Sequence, residues 1–165
     1  MSGFILDTNI IMDAYSANIL RCLNYNKFSV SLVVYNEEML KQIRLLNNYE
    51  LNKINETYEE LLSANEYYSL NKRISFYDAL NLAIAKQRTM VLVTGDQQLI
   101  KCAIQEEVEC FGTLKLIEVL VENNLINIKD SIIALNNLKQ DLKRRIPHNL
   151  IDTLINKLEL MCIEI

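Results

Sequence analysis

Five acidic residues stand where catalytic chemistry would need them. Asp7 ends the apolar run Phe4-Ile5-Leu6, and Asp96 closes Val93-Thr94-Gly95-Asp96. Asp78 lies just inside a helical pattern opened by Ser75, and Glu37 and Glu38 follow a β-branched stretch at 28–34. Each has an ordinary explanation when taken alone. Asp7 and Asp96 are good helix caps, and Ser75 with Asp78 fits a capping box. Glu37 and Glu38 suit the positive end of a helix. Together they would meet on one edge if the chain forms a parallel sheet, whose carboxyl ends line a binding crevice. Two unit charges about 4 Å apart repel by about 4 kcal/mol at an effective dielectric near 20. A shared pocket therefore demands a proton or a cation. Oxygen donors without His or Cys select Mg²⁺ or Mn²⁺. An ion held this way activates water and neutralises a phosphate, with no need for imidazole. That suits a chain with 1 His, His148.

The elements that would position these acids follow from the hydrophobic pattern. Strands are expected at 4–6, 28–34, 90–93 and 108–111, as short apolar or β-branched runs. Helical periodicity covers 10–24, then the face Tyr35, Met39, Ile43 and Leu46, then a polar stretch at 50–69. Further helices are expected from Ser75 and over 97–105. Another runs over 114–123, with Thr113 as its cap. Strands alternating with helices, and filled with apolar runs, predict an α/β fold with a parallel sheet covered on both faces. After Asn124 the pattern changes to amphipathic helices at 129–145 and 149–161. The expected organisation is a unit at 1–125 with a helical extension at 126–165 packed on it.

Composition narrows the alternatives. The chain has 165 residues, 50% hydrophobic and 23% charged, which is one globular domain's worth of sequence. Only 3 Gly and 1 Pro argue against an all-β fold rich in tight turns. A net charge of −4 argues against binding nucleic acid by bulk charge, so any such binding needs a local site. The 4 cysteines form no C-x-x-C pair and read as small core residues in a reducing compartment. No apolar run reaches membrane-span length, and the start MSGFILDTN is not a signal peptide. The expectation is a cytoplasmic protein with no membrane partner.

Three segments carry a family resemblance. Ile5-Leu6-Asp7-Thr8-Asn9, then Ser75-Phe76-Tyr77-Asp78-Ala79-Leu80-Asn81-Leu82-Ala83-Ile84-Ala85, then Val93-Thr94-Gly95-Asp96 resemble the motifs of PIN domains. The likeness covers roughly residues 3–120. The tail segments Phe111–Ile117, Asn124–Ile126 and Arg145-Ile146-Pro147 look like a PIN subgroup with a helical C-terminal extension. The resemblance implies a three-layer α/β/α sandwich acting as a Mg²⁺- or Mn²⁺-dependent endoribonuclease on RNA. Its commonest relatives are toxins of the VapC type in toxin–antitoxin pairs. An antitoxin protein and a second copy of the chain are then candidate partners. Carried over residue by residue, Asp7, Asp78 and Asp96 match the metal-binding and catalytic aspartates. Counting six residues on from Ser31 assigns Glu37 as the glutamate, while Glu38-Met39-Leu40 resembles the same position and keeps Glu38 open. Thr8 and Thr94 resemble hydroxyls that orient a water or an acid, and Asn9 resembles a partner that steadies the first aspartate.

Two other readings are open. One is a PIN fold kept as a non-catalytic binding or regulatory module. The other is an α/β protein using Asp7 as a nucleophile or phospho-acceptor, although Asn9 breaks the Asp-x-Asp phosphatase pattern. Lys139, Lys143, Arg144 and Arg145 suit a helix's negative end, with RNA contact as the lesser reading. Lys72 and Arg73, just before the Asp78 helix, are better phosphate-contact candidates. The stripe Leu150, Leu154, Ile155, Leu158 and Met161 reads as core or a docking seam. The 8 tyrosines are scattered and form no stacking platform in the sequence.

Overall fold

A computed structural model describes residues 3–163. Positions 1–2 and 164–165 lie outside the described residues. They hold the first residues of MSGFILDTN and the outer ends of the expected 1–125 and 126–165 units.

Five strands form one parallel sheet in the order β3-β2-β1-β4-β5. They are β1 Phe4–Leu6, β2 Phe28–Ser31, β3 Asn52–Ile54, β4 Val91–Val93 and β5 Cys110–Phe111. β1 is central: Phe4 pairs with Phe28 on one side and with Val91 on the other. Every residue of β1, β2 and β4 is buried, which explains runs without alternation. β3 departs from that pattern. Its Asn52 and Lys53 are exposed, as an edge strand permits, so it carries no apolar signature. The polar stretch at 50–69, expected as one helix, is therefore a strand followed by a helix.

The helices are α1 Thr8–Ser16, α2 Leu32–Val34, α3 Leu40–Gln42, α4 Tyr58–Leu70 and α5 Phe76–Gln87. They continue with α6 Gln97–Gln105, α7 Thr113–Glu122, α8 Ile128–Gln140 and α9 His148–Ile163. Together with the parallel sheet they make the three-layer α/β/α arrangement that the sequence predicts. Helical crossovers lead from β1 to β2 on one side, and from β4 to β5 on the other. The connection direction thus reverses between β1 and β4, and that crevice is the topological switch point.

Several local expectations change. The 28–34 strand stops at Ser31, whose hydroxyl caps α2 by accepting from Val34 N–H. The helix expected at 10–24 ends at Ser16, where Asn18 turns to φ 60°, and resumes as a 3₁₀ turn at Leu20–Leu23. α7 is capped by Gly112 rather than Thr113, because the Thr113 hydroxyl is committed to Asp13.

One continuous apolar core runs from Ile5 and Ile10 through Leu82 and Leu120 to Leu135, Ile151 and Leu158. α8 and α9 pack on each other, and α8 also packs on α1 and α7. The buried stripe of α9 is Ile151, Leu154 and Leu158, while Leu150 and Met161 face outward. Cys102 is a core residue, but Cys162 is exposed on α9 rather than buried. No helix is long and apolar enough to cross a membrane, among the described residues.

Candidate active site

Asp7 caps α1 at the carboxyl end of β1, and its own N–H donates to Val93 O of β4 at 3.0 Å. The backbone ladder thus places its side chain at the switch point. Thr8 N–H donates to one carboxylate oxygen at 2.7 Å. The Thr94 hydroxyl donates to the other at 2.8 Å, and Thr94 in turn accepts from Asp96 N–H at 3.1 Å. Thr94 is fully buried, so this short relay fixes the orientation of Asp7 from the neighbouring strand.

Asp96 caps α6 by accepting from Gln98 and Leu99 N–H, both at 2.8 Å on one oxygen. Asp78 closes a capping box with Ser75: each accepts from the other's N–H. The capping explanations for Asp7, Asp78 and Asp96 therefore hold. They do not exhaust the site, because caps are normally exposed and Asp7 is 2% exposed.

Charge links these acids. Burial pushes the Asp7 carboxyl up to about 7, and the charges of Asp78 and Glu38 push the same way against the Thr94 and Thr8 hydrogen bonds. Burial also raises Asp78, and Asp96 adds to that effect. Glu38, Asp7, Asp78 and Asp96 thus form a chain of mutually felt negative charges.

The glutamate pair divides. Both lie in a π-helical turn, Tyr35–Met39, between α2 and α3. Leu40 N–H reaches back to Tyr35 O, the five-residue spacing of a π turn, a feature often found at functional sites. Glu37 faces solvent, 3.6 Å from Lys41. Glu38 is partly buried, and its charge reaches Asp7. The count from Ser31 thus reaches a solvent-facing residue, and its neighbour faces the crevice. Glu56, which the motifs do not mark, accepts from the Ser31 hydroxyl and from Val33 N–H at 3.0 Å, and so anchors the start of this helical stretch.

The other expected residues are less tightly placed. Asn9 is exposed and makes no side-chain bond to Asp7 among the described residues. The Thr8 hydroxyl is buried without a partner. Lys72 and Arg73 are exposed on the turn after α4, with the Lys72 ammonium 5.3 Å from the Tyr68 ring centre. Asn81, inside the quoted motif but assigned no role, is fully buried with neither amide atom bonded. It lies one helical turn past Asp78. Buried polar atoms are almost always paired, so such an orphan marks a place where a further group belongs.

Three carboxylates in the described residues are buried: Asp7, Asp13 and Glu60. Glu60 holds Arg88 in a two-pronged pair at 2.6 and 3.0 Å, and its carboxyl is lowered. Asp13 faces Arg144 at 3.3 Å. Asp7 has no cation at all among the described residues, only further acids. A model of the PIN domain family matches residues 3–160. The chain belongs to the PIN domain family. The parallel α/β fold agrees with that family, whose members are generally nucleases. No curated protein and no solved structure matches the chain.

The donor set fits a divalent ion in kind: hard oxygens, an uncompensated buried carboxylate and an orphaned hydroxyl beside it. The acids are not yet gathered. Among the described residues no three His, Cys, Asp or Glu side chains stand close enough to hold an ion as they are.

Proposed function

We propose that this PIN domain is a divalent-metal-dependent endoribonuclease, with Asp7, Glu38, Asp78 and Asp96 as its metal-holding acids. One observation carries the reading: Asp7 is the buried carboxylate without a cationic partner, and it sits at the switch point of a nuclease fold. Mg²⁺ or Mn²⁺, when bound, supplies Lewis acidity and neutralises phosphate charge.

The chain's own groups have distinct tasks. Thr94 holds Asp7 in one orientation and thereby ties it to Asp96. With its carboxyl pushed up to about 7, Asp7 is only partly ionised at neutral pH and must lose the remaining proton to act as a ligand, so metal binding should liberate protons. Glu38 is preferred to Glu37 because it is partly buried and its charge reaches Asp7, whereas Glu37 faces solvent beside Lys41. The biological role proposed is the toxin of a toxin–antitoxin pair, working in the cytoplasm and assembling as a homodimer. A neighbouring reading frame for a small DNA-binding antitoxin would support that role.

The test is RNA cleavage with added Mn²⁺. Asp7→Asn should abolish it while the protein stays folded, and Glu38→Gln should reduce it far more than Glu37→Gln. Cleavage by Asp7→Asn at the wild-type level would sink the proposal. The open spacing of the acids favours a second reading, a PIN fold that binds without cutting. A melting temperature unmoved by Mn²⁺ would support that alternative.

A further inference from the structure

A groove of about 740 Å³ lies over the outer face of α1. One wall is the stretch from Gln42 to Tyr49, and the other is the loop after α8 with Lys143 and Arg144. Met12 and Tyr15 form its floor. Met12 stands one helical turn beyond Thr8, and Gln42 one turn beyond Glu38, so the groove begins about a turn away from the crevice acids, none of which lines it.

The second wall is held in place by side-chain bonds far apart in sequence. The Ser16 hydroxyl donates to Asp141 at 2.7 Å, and Arg144 reaches Asp13 at 3.3 Å. Asp141 also accepts from Lys143 N–H at 2.9 Å, so the one acid lining the groove is already engaged. Lys139 is spent on Asp152 at 2.7 Å. Lys143 and Arg145 are exposed and make no ion pair among the described residues. In a chain with net charge −4, this loop is a local surplus of positive charge beside the groove. The fold also gathers what the sequence scatters: Tyr15, 43% exposed, and Tyr49 line the same space.

We propose that this groove is a binding track for single-stranded nucleic acid. Lys143 and Arg145 contact the phosphate backbone, and Tyr15 and Tyr49 stack on bases. Arg144 is a positioning residue, because its bond to Asp13 holds the loop. Cations along a groove with interleaved aromatic rings are the general solution for single strands. Charge decides against a protein segment: Lys143 in the lining and Arg145 beside it are unpaired among the described residues, and the one lining acid is already hydrogen-bonded. The proposal rests on the nuclease reading for its purpose, but its test does not require cleavage.

The measurement is fluorescence anisotropy of a labelled single-stranded RNA, with a DNA strand of equal sequence alongside, in EDTA at 50–200 mM salt. Lys143→Glu should weaken binding about tenfold, and Lys143→Ala should lower the slope of log K against log salt by about 0.7. Tyr15→Ala should cost about fivefold or more through lost stacking. Lys101→Glu, the same charge change on the exposed face of α6, should change little. The proposal is overturned if Lys143→Glu and Tyr15→Ala bind as the wild type does, or if Lys101→Glu weakens binding equally. It also falls if the wild type binds neither strand at 50 mM salt, which would leave the groove to a protein segment. If the groove variants lose RNA binding yet the wild type shows no Mn²⁺-dependent cleavage, the track stands and the ribonuclease reading fails.

Discussion

Asp7 caps α1 and Asp13 lies within it, and each is buried beneath a threonine hydroxyl, Thr94 for Asp7 and Thr113 for Asp13. Burial raises both carboxyls. What differs is the next neighbour. Asp13 meets Arg144, which offsets its charge and ties the C-terminal loop to α1. Asp7 meets Asp78 and Glu38, which worsen its position. One aspartate serves the fold, and the other is held at a cost the fold does not recover. A buried group that destabilises its own surroundings is a candidate for function.

The largest effect expected concerns pH. Between pH about 4 and 7 the folded state keeps a proton on Asp7 that the unfolded chain has lost. Stability should therefore fall as pH rises through that window and level off above it. Three pKa units correspond to about 4 kcal/mol as an upper bound. Urea unfolding in EDTA at stepped pH measures this, and Asp7→Asn should flatten the decline. Saturating Mn²⁺ should flatten it too. If Asp7→Asn leaves the slope unchanged, the contrast between the two aspartates is lost.

Asp13→Ala is the mirror experiment. It strands Arg144 and Thr113, and breaking a buried pair on one side costs about 3 kcal/mol. Thermal melting should show a large drop for Asp13→Ala and none for Asp7→Asn at pH 8. Thr94→Val is smaller. It removes a bond that favours ionised Asp7, so the pH window in urea unfolding should move upward, by about 1 kcal/mol in effect. Smallest is Asn81→Leu, which replaces an unbonded buried amide with an apolar group of similar size. Melting should show a neutral or slightly stabilised protein. A simultaneous loss of Mn²⁺-dependent cleavage would place Asn81 with the site rather than the core.

Much of this is legible in the sequence. The buried strands announce themselves as apolar runs, and Asp7 and Asp96 follow them directly, so the crevice could be read from order alone. β3 could not, because Asn52 and Lys53 sit at an exposed edge where nothing selects for apolar residues. The orientation of Glu38 was hidden for a different reason. A π turn adds a residue to the helical register, so spacing counted from Ser31 arrives at the solvent-facing Glu37 rather than the partly buried Glu38. Asp13 looked like any polar residue on α1, since its partners Thr113 and Arg144 lie 100 and 131 residues away. Pairings of that range leave no local trace.

That range also sets an order of events. The ribosome delivers α1 well before the loop that walls its outer face, since their bonded partners lie 125 and 131 residues apart. Contacts so distant in sequence form late, after the closure entropy of the intervening chain has been overcome. During synthesis the acids on β1 and α5 can assemble while the positively charged wall is still missing. A nascent or C-terminally truncated chain would therefore carry the crevice without its approach. On the proposed reading, this surface could engage a polyanion only once that loop has docked on α1.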